Sequence, residues 1–164
     1  MASAKPSSTA SIQYIKSELN TIDSGELKKM LLRLAKHKKE NKELLSYLLF
    51  EAQDEVGFIQ KVKDEISGEF PEINRSNLYL SKKSLRRILR IASKQIRFAD
   101  SYRAEAEILI HFCIQMKESG IPFHNSQVLL NLYNQQLKKI KAAVSKMHED
   151  LQFDFRASLE FIEN

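Results

Sequence analysis

Residues 81–99 decide the fold class, and they read SKKSLRRILRIASKQIRFA. Their apolar members recur at intervals of three and four, as on one side of an α-helix: Leu85, Ile88, Leu89, Ala92, Ile96 and Ala99. The positions between them are almost all polar or basic, which is the pattern of a helix with one face in a core. The stretch therefore predicts an amphipathic helix.

The same spacing recurs along most of the chain, so the sequence predicts an all-α protein of six or seven helices. They would form a bundle or a short array of α-hairpins in one domain over 11–164, after a flexible tail over 1–10. The predicted helices span 10–21, 23–37, 42–53, 54–70, 81–99, 101–120 and 126–162. With 4 Gly and 3 Pro in 164 residues, turn residues are too few for an all-β fold.

Several helix ends carry recognisable capping residues. Polar side chains that come just before an apolar run are candidate N-caps: Asp23, Asn41, Ser81 and Ser101. Asp23 is followed three positions later by Glu26, which is the spacing of a capping box. Gly120 and then Pro122 end the sixth helix, and Pro71 ends the fourth.

Two segments are apolar around most of the helical circumference, namely 44–50 and 108–116. A helix without a polar face must be surrounded by other elements, so we expect the third and sixth helices to lie at the centre of the fold. The second helix has a narrower predicted core stripe of Leu27, Met30, Leu31 and Leu34. Both apolar segments are much shorter than the roughly 20 residues that cross a bilayer, so no membrane insertion is predicted.

The last segment contains no Gly or Pro and predicts one helix of roughly 55 Å. A domain of this length is about 40 Å across, so the helix should bend or meet a partner. Its apolar residues follow a spacing similar to that of a coiled coil. They are the predicted self-association residues: Leu137, Ile140, Val144, Met147, Leu151, Phe155, Leu159 and Ile162.

The net charge of +5 hides a strong segregation of charge along the chain. Residues 27–42 and 73–99 hold 15 of the 26 Lys and Arg but only one acid, Glu40. On the helix over 81–99 the basic residues fall within an arc of about 140°. These predicted polyanion-binding residues are Lys82, Lys83, Arg86, Arg87, Arg90, Lys94 and Arg97, and a second helix could extend the set with Lys28, Lys29, Arg33 and Lys36.

Three interpretations of this basic arc are open. Acids of the fourth helix region, 54–72, could pair with it and leave an ordinary solvated face. It could bind an acidic protein, or it could bind a nucleic-acid backbone, where Lys and Arg release condensed counterions. Aromatic residues are sparse beside it, and Phe98 has core spacing, so base-specific recognition is not predicted. We favour a non-catalytic binding module, with a self-associating protein-interaction module as the alternative.

Catalytic and metal-binding signals are weak. None of His37, His111, His124 and His148 has a Glu three positions earlier, as the di-iron helical motif requires. No cofactor is predicted, and Gly-rich phosphate loops are absent from the sequence. The one cysteine, Cys113, is interpreted as a small buried residue of a cytoplasmic protein, and His111 as a hydrogen-bonded core histidine. An enzyme would require a pocket with convergent polar groups around His111.

Overall fold

The computed structural model describes residues 9–164, and the all-α prediction is confirmed there, since no strand occurs in that range. The helices are α1 (Ile12–Leu19), α2 (Ser24–His37), α3 (Lys39–Phe50), α4 (Glu55–Glu69), α5 (Leu78–Ala99), α6 (Tyr102–Glu118), α7 (Gln127–Val144), α8 (Glu149–Asp154) and α9 (Arg156–Glu163). A short 3-10 helix, Phe123–Asn125, precedes α7. All but the last two residues of the predicted tail lie outside the described residues.

The chain divides into two compact units, Met1–Ser46 and Tyr47–Asn164, which we call the N-terminal and the C-terminal unit. The boundary falls within α3. The single domain over 11–164 therefore stays a prediction.

Two of the four predicted N-caps, Asp23 and Ser101, are confirmed by hydrogen bonds. Asp23 caps α2 by accepting from the backbone N–H groups of Gly25 and Glu26, and Ser101 caps α6 by accepting from the N–H of Ala104 at 3.3 Å. The capping box is only half formed, because the Glu26 carboxylate pairs with Lys29 instead.

Two predicted caps are wrong because both helices begin before them. The side chain of Asn77 accepts from the N–H groups of Tyr79 and Leu80, so α5 begins at Leu78. Ser81 is consequently inside the first turn, where its buried hydroxyl donates to the carbonyl of Asn74. Similarly, α3 begins before Asn41.

In the N-terminal unit, the predicted core stripe of α2 is not buried. Met30, Leu31 and Leu34 are 44%, 49% and 58% exposed, and no side chain between residues 9 and 46 is buried. Short helices in a unit of this size bury too little surface to enclose a core. The spacing of the stripe predicted the helix correctly, but its burial was wrong.

The expectation that the third helix is central is also wrong. Leu48, Leu49 and Phe50 are exposed in α3, and Tyr47 is its one buried residue. Tyr47 belongs to the C-terminal unit, where its ring packs on Phe58 with 4.6 Å between centroids. Apolar residues around a helix do not by themselves provide the neighbouring elements that would bury them.

The sixth helix is central, as predicted. In the C-terminal unit, α6 packs against α4, α5, α7 and α9, and eight of its residues are buried. Phe112 is fully buried and meets the ring of Phe70 at 5.8 Å. Gly120 ends this region at φ +75°, a left-handed conformation that favours glycine. No helix within residues 9–164 combines the length and apolarity needed to span a membrane.

The continuous helix predicted over 126–162 is wrong. α7 ends at Val144, and the chain turns at 145–148 before the short helices α8 and α9. This break and the junction between α8 and α9 divide one predicted helix into three, which is why residues 9–164 contain nine α-helices where six or seven were expected. The turn also has a tertiary attachment, because the buried hydroxyl of Tyr133 in α7 donates to the carbonyl of Ile162 in α9 at 2.6 Å.

Candidate functional site

The helix α5 presents one face to the core and the other to solvent. Leu85, Ile88 and Ala92 are fully buried, and the helix packs against α4 and α6 within the C-terminal unit. This anchoring fixes the rotation of the helix about its own axis. Residues on the opposite side are therefore directed outward.

The structure brings all seven predicted residues of α5 onto this helix. Five of them are exposed: Lys83, Arg86, Arg87, Arg90 and Arg97. Lys82 and Lys94 are half-buried, and the Lys82 ammonium lies 5.4 Å from the centroid of the Tyr79 ring. We use the name basic face for the three exposed residues Lys83, Arg86 and Arg90.

Internal neutralisation of α5 is limited. Arg87 pairs with Glu69 of α4, and Lys94 and Arg97 have interactions of their own. Within the described part of the chain, no carboxylate lies within 4.0 Å of a side-chain nitrogen of the basic face.

Three acids of the fourth helix region, Asp54, Glu55 and Asp64, have partners outside α5. Asp54 caps α4 by accepting from the N–H of Gly57, Glu55 accepts from the hydroxyl of Ser101, and Asp64 accepts from Gln60. Glu69 of α4 pairs instead with Arg87 of α5.

The second predicted basic set lies on α2, in the N-terminal unit. Lys28, Lys29, Arg33 and Lys36 are all exposed, and Lys29 pairs with Glu26 at 2.6 Å. A footprint shared with α5 stays a prediction.

The predicted self-association residues mostly contribute to the C-terminal unit itself, and self-association through them stays a prediction. The buried members are Ile140, Val144 and Ile162; the half-buried members are Leu137, Met147, Phe155 and Leu159. Leu151 alone of the eight is exposed. Folding of the chain back at 145–148 places these side chains inside one molecule.

The interpretation of His111 as a hydrogen-bonded histidine is confirmed, although the residue is only half-buried. Its Nε2 lies 2.7 Å from the hydroxyl oxygen of Ser67 on α4. Burial lowers the pKa of His111 below its usual value, and the nearby ammonium of Lys63 acts in the same direction. The ring is therefore held mainly in its neutral form near pH 7.

A polar cluster that sequence reasoning missed lies one turn before His111. The carboxylate of Glu107 accepts from Lys63 at 2.6 Å and from the Nε of Arg103 at 2.9 Å. These two partners lower the pKa of Glu107 even though burial opposes them. The i,i+4 spacing of Arg103 and Glu107 was visible in the sequence, but nothing local indicated Lys63, which is 44 residues away.

This cluster borders a half-open cavity of about 500 Å³ in the C-terminal unit. Five residues of α6 form one stripe along it: Arg103, Glu107, Ile110, His111 and Ile114. On the other side, five residues extend from the turn at 145–148 into α9: Met147, Leu151, Asp154, Phe155 and Ser158. We call this cavity, together with Lys63, the α6 groove.

The pair of Ser67 and His111 does not form a hydrolytic site. Ser67 lies inside α4, where backbone N–H groups are bonded within the helix and cannot stabilise an oxyanion. Cys113 is fully buried, as predicted, and burial raises the pKa of its thiol to about 12. Among residues 9–164, no group of three or more His, Cys, Asp or Glu side chains is placed to hold a metal ion.

Comparison of the chain with models of known families, with curated proteins and with solved structures gave no match. No function can therefore be transferred from a relative, and the function must be argued from the geometry of α5 and of the α6 groove.

Proposed function

We propose that the protein is a non-catalytic binding module that uses α5 to contact a polyanion, namely the phosphate backbone of a nucleic acid. The observation that carries this proposal is the exposure of the basic face on a rigidly anchored helix, with no carboxylate of the described chain within ion-pair distance.

The spacing of these cations suits a repeating anion. Arg86 and Arg90 are one turn apart, which separates them by about 6 Å along the helix axis. Like charges at this spacing repel by a few tenths of a kcal/mol, and a bound phosphate removes that cost. Arginine also binds phosphate through two parallel hydrogen bonds. The favourable free energy would come largely from released counterions.

Recognition of base sequence is not part of the proposal. Phe98, which could have offered a stacking surface, is 7% exposed and packs near the ring of Tyr47, with 6.4 Å between centroids. Tyr79 is exposed, but the ammonium of Lys82 lies over its ring. Contacts made only to phosphates position a protein without reading sequence.

The test is a fluorescence-anisotropy titration of labelled duplex DNA at 50 mM salt. The variant Arg86→Glu/Arg90→Glu should lose binding at least tenfold, because two phosphate contacts become repulsive. The matched control is Lys138→Glu/Lys139→Glu, which makes the same charge change at two exposed residues of α7. The proposal fails if wild-type protein does not bind at 50 mM salt, or if both variants lose affinity equally.

A protein partner is the second candidate, and exposed apolar side chains favour it. Met30, Leu31 and Leu34 lie on α2 beside exposed lysines and an arginine, a combination that suits an acidic amphipathic partner or a second copy of the chain. Light scattering at rising protein concentration tests the second copy. A strict monomer throughout would contradict self-association.

A further inference from the structure

The α6 groove has a charged part and an apolar part on one continuous floor. α4 and α6 run parallel, because Lys63 meets Glu107 and Ser67 meets His111 four residues further along both helices. The floor extends from Arg103 to Ile114, which is about 16 Å at the rise of an α-helix. Its volume of about 500 Å³ falls in the range of small-molecule sites.

The charged part contains more hydrogen-bond donors than its bonded carboxylate uses. One carboxylate, Glu107, holds two cations, Lys63 and Arg103. Arg103 bonds to Glu107 through Nε, and its two terminal nitrogens form no hydrogen bond within residues 9–164. Glu55 and Asp154 also act on Arg103 and help to raise its pKa, but within residues 9–164 neither carboxylate forms an ion pair with it. A ligand carboxylate could accept two hydrogen bonds from these terminal nitrogens.

The apolar part continues along the same floor. Ile110 is buried, Ile114 is half-buried, and Met147 and Phe155 face them across the groove, each half-buried against the core. An extended hydrocarbon chain advances about 1.3 Å per carbon, since a C–C bond is about 1.5 Å long. A chain of ten carbons therefore spans about 12 Å and fits within the floor of about 16 Å. The side chains of Ile110 and Ile114 offer no polar atoms to water, so an apolar occupant suits them, while His111 and Ser158 also border the cavity.

We propose that the α6 groove binds an unbranched monocarboxylate of medium chain length. Its carboxylate would accept hydrogen bonds from Arg103, with Lys63 contributing positive charge, and its hydrocarbon chain would cover Ile110 and Ile114. This inference is independent of polyanion binding, because none of these residues belongs to the basic face of α5.

The proposal predicts opposite effects on ligand binding for substitutions at Asp154 and at Arg103. Asp154 lies on the wall opposite Arg103, so it repels an incoming carboxylate. Asp154→Asn should therefore strengthen binding of decanoate several-fold, whereas Arg103→Gln should weaken it about tenfold or more, as for loss of a charged hydrogen bond. Asp150→Asn and Arg156→Gln are matched controls, because both residues are exposed and lie outside the groove.

The experiment is calorimetric titration of the full chain with decanoate, decanol and acetate below micellar concentrations, together with methyl NMR spectra. We expect decanoate to shift the methyl signals of Ile110 and Ile114, decanol to bind more weakly, and acetate not to bind. The proposal is overturned if decanol binds as tightly as decanoate, if the isoleucine signals do not move, or if Asp154→Asn behaves like Asp150→Asn. Asp154→Asn changes only a surface carboxylate, so it tests the proposal even if Arg103→Gln folds poorly.

Discussion

The ion pair between Arg87 and Glu69 limits the number of cations that α5 can offer to a polyanion. Glu69→Gln would release the arginine and raise the number of free cations from three to four. Each added phosphate contact multiplies the association constant for duplex DNA by roughly the salt concentration to the power −0.9. We therefore expect binding to tighten by about 15-fold at 50 mM salt and about 4-fold at 200 mM.

The assay is anisotropy of labelled duplex DNA across this salt range. The slope of log K against log salt should steepen from about −2.7 to about −3.6. Glu65→Gln is the matched control, because it removes the same charge from an exposed residue of α4 that forms no ion pair within residues 9–164. The protein should remain folded, since a partly exposed pair contributes only about 0–1 kcal/mol. Equal tightening in both variants, or an unchanged slope in Glu69→Gln, would refute the assignment of the basic face.

Three further predictions concern stability, each measured by urea denaturation. His111→Gln should flatten the pH dependence. Because the pKa of His111 is lowered in the folded protein, the unfolded chain binds this proton at a higher pH than the folded chain does. The free energy of unfolding of the wild type should therefore be highest above about pH 6.5 and should fall as the pH drops below that value. An equally steep fall in the variant would contradict this. Tyr133→Phe should cost about 1–2 kcal/mol, because the carbonyl of Ile162 loses its buried donor, whereas exposed Tyr79→Phe should cost nothing measurable. Gly120→Ala should destabilise the protein by about 1 kcal/mol because alanine is strained at this positive φ. Gly68 lies inside α4 with equally open space around it, so Gly68→Ala should stabilise the protein. A change in stability of the same sign for both variants would be inconsistent with a backbone cause.

The positions of most helices could be predicted from the sequence, but the elements that each helix packs against could not. Local spacing placed α5 and α6 correctly because each core-facing stripe is a property of a single segment. The same reasoning failed for α3, where Leu48 and Phe50 are exposed. Whether an apolar side chain is covered depends on elements elsewhere in the chain, and a helical period carries no information about them.

The two candidate sites also differ in whether they could be predicted from the sequence. The basic residues of α5 could be read from one helix, since all of them lie within 81–99. The α6 groove could not, because its polar contacts join residues 44 apart, as in the pairs of Lys63 with Glu107 and Ser67 with His111. The turn at 145–148 was equally hidden, because its four residues include no Gly or Pro to signal it.

That turn has a practical consequence for engineering the protein. The turn is held by its own hydrogen bonds, such as the one that the hydroxyl of Ser145 donates to the carbonyl of Ala142, and by the distant attachment of Tyr133 to Ile162. Positions 145 and 146 are also exposed. A short peptide tag or a fluorescent reporter inserted between Ser145 and Lys146 should be accommodated there, because this site lies before Met147, which lines the α6 groove.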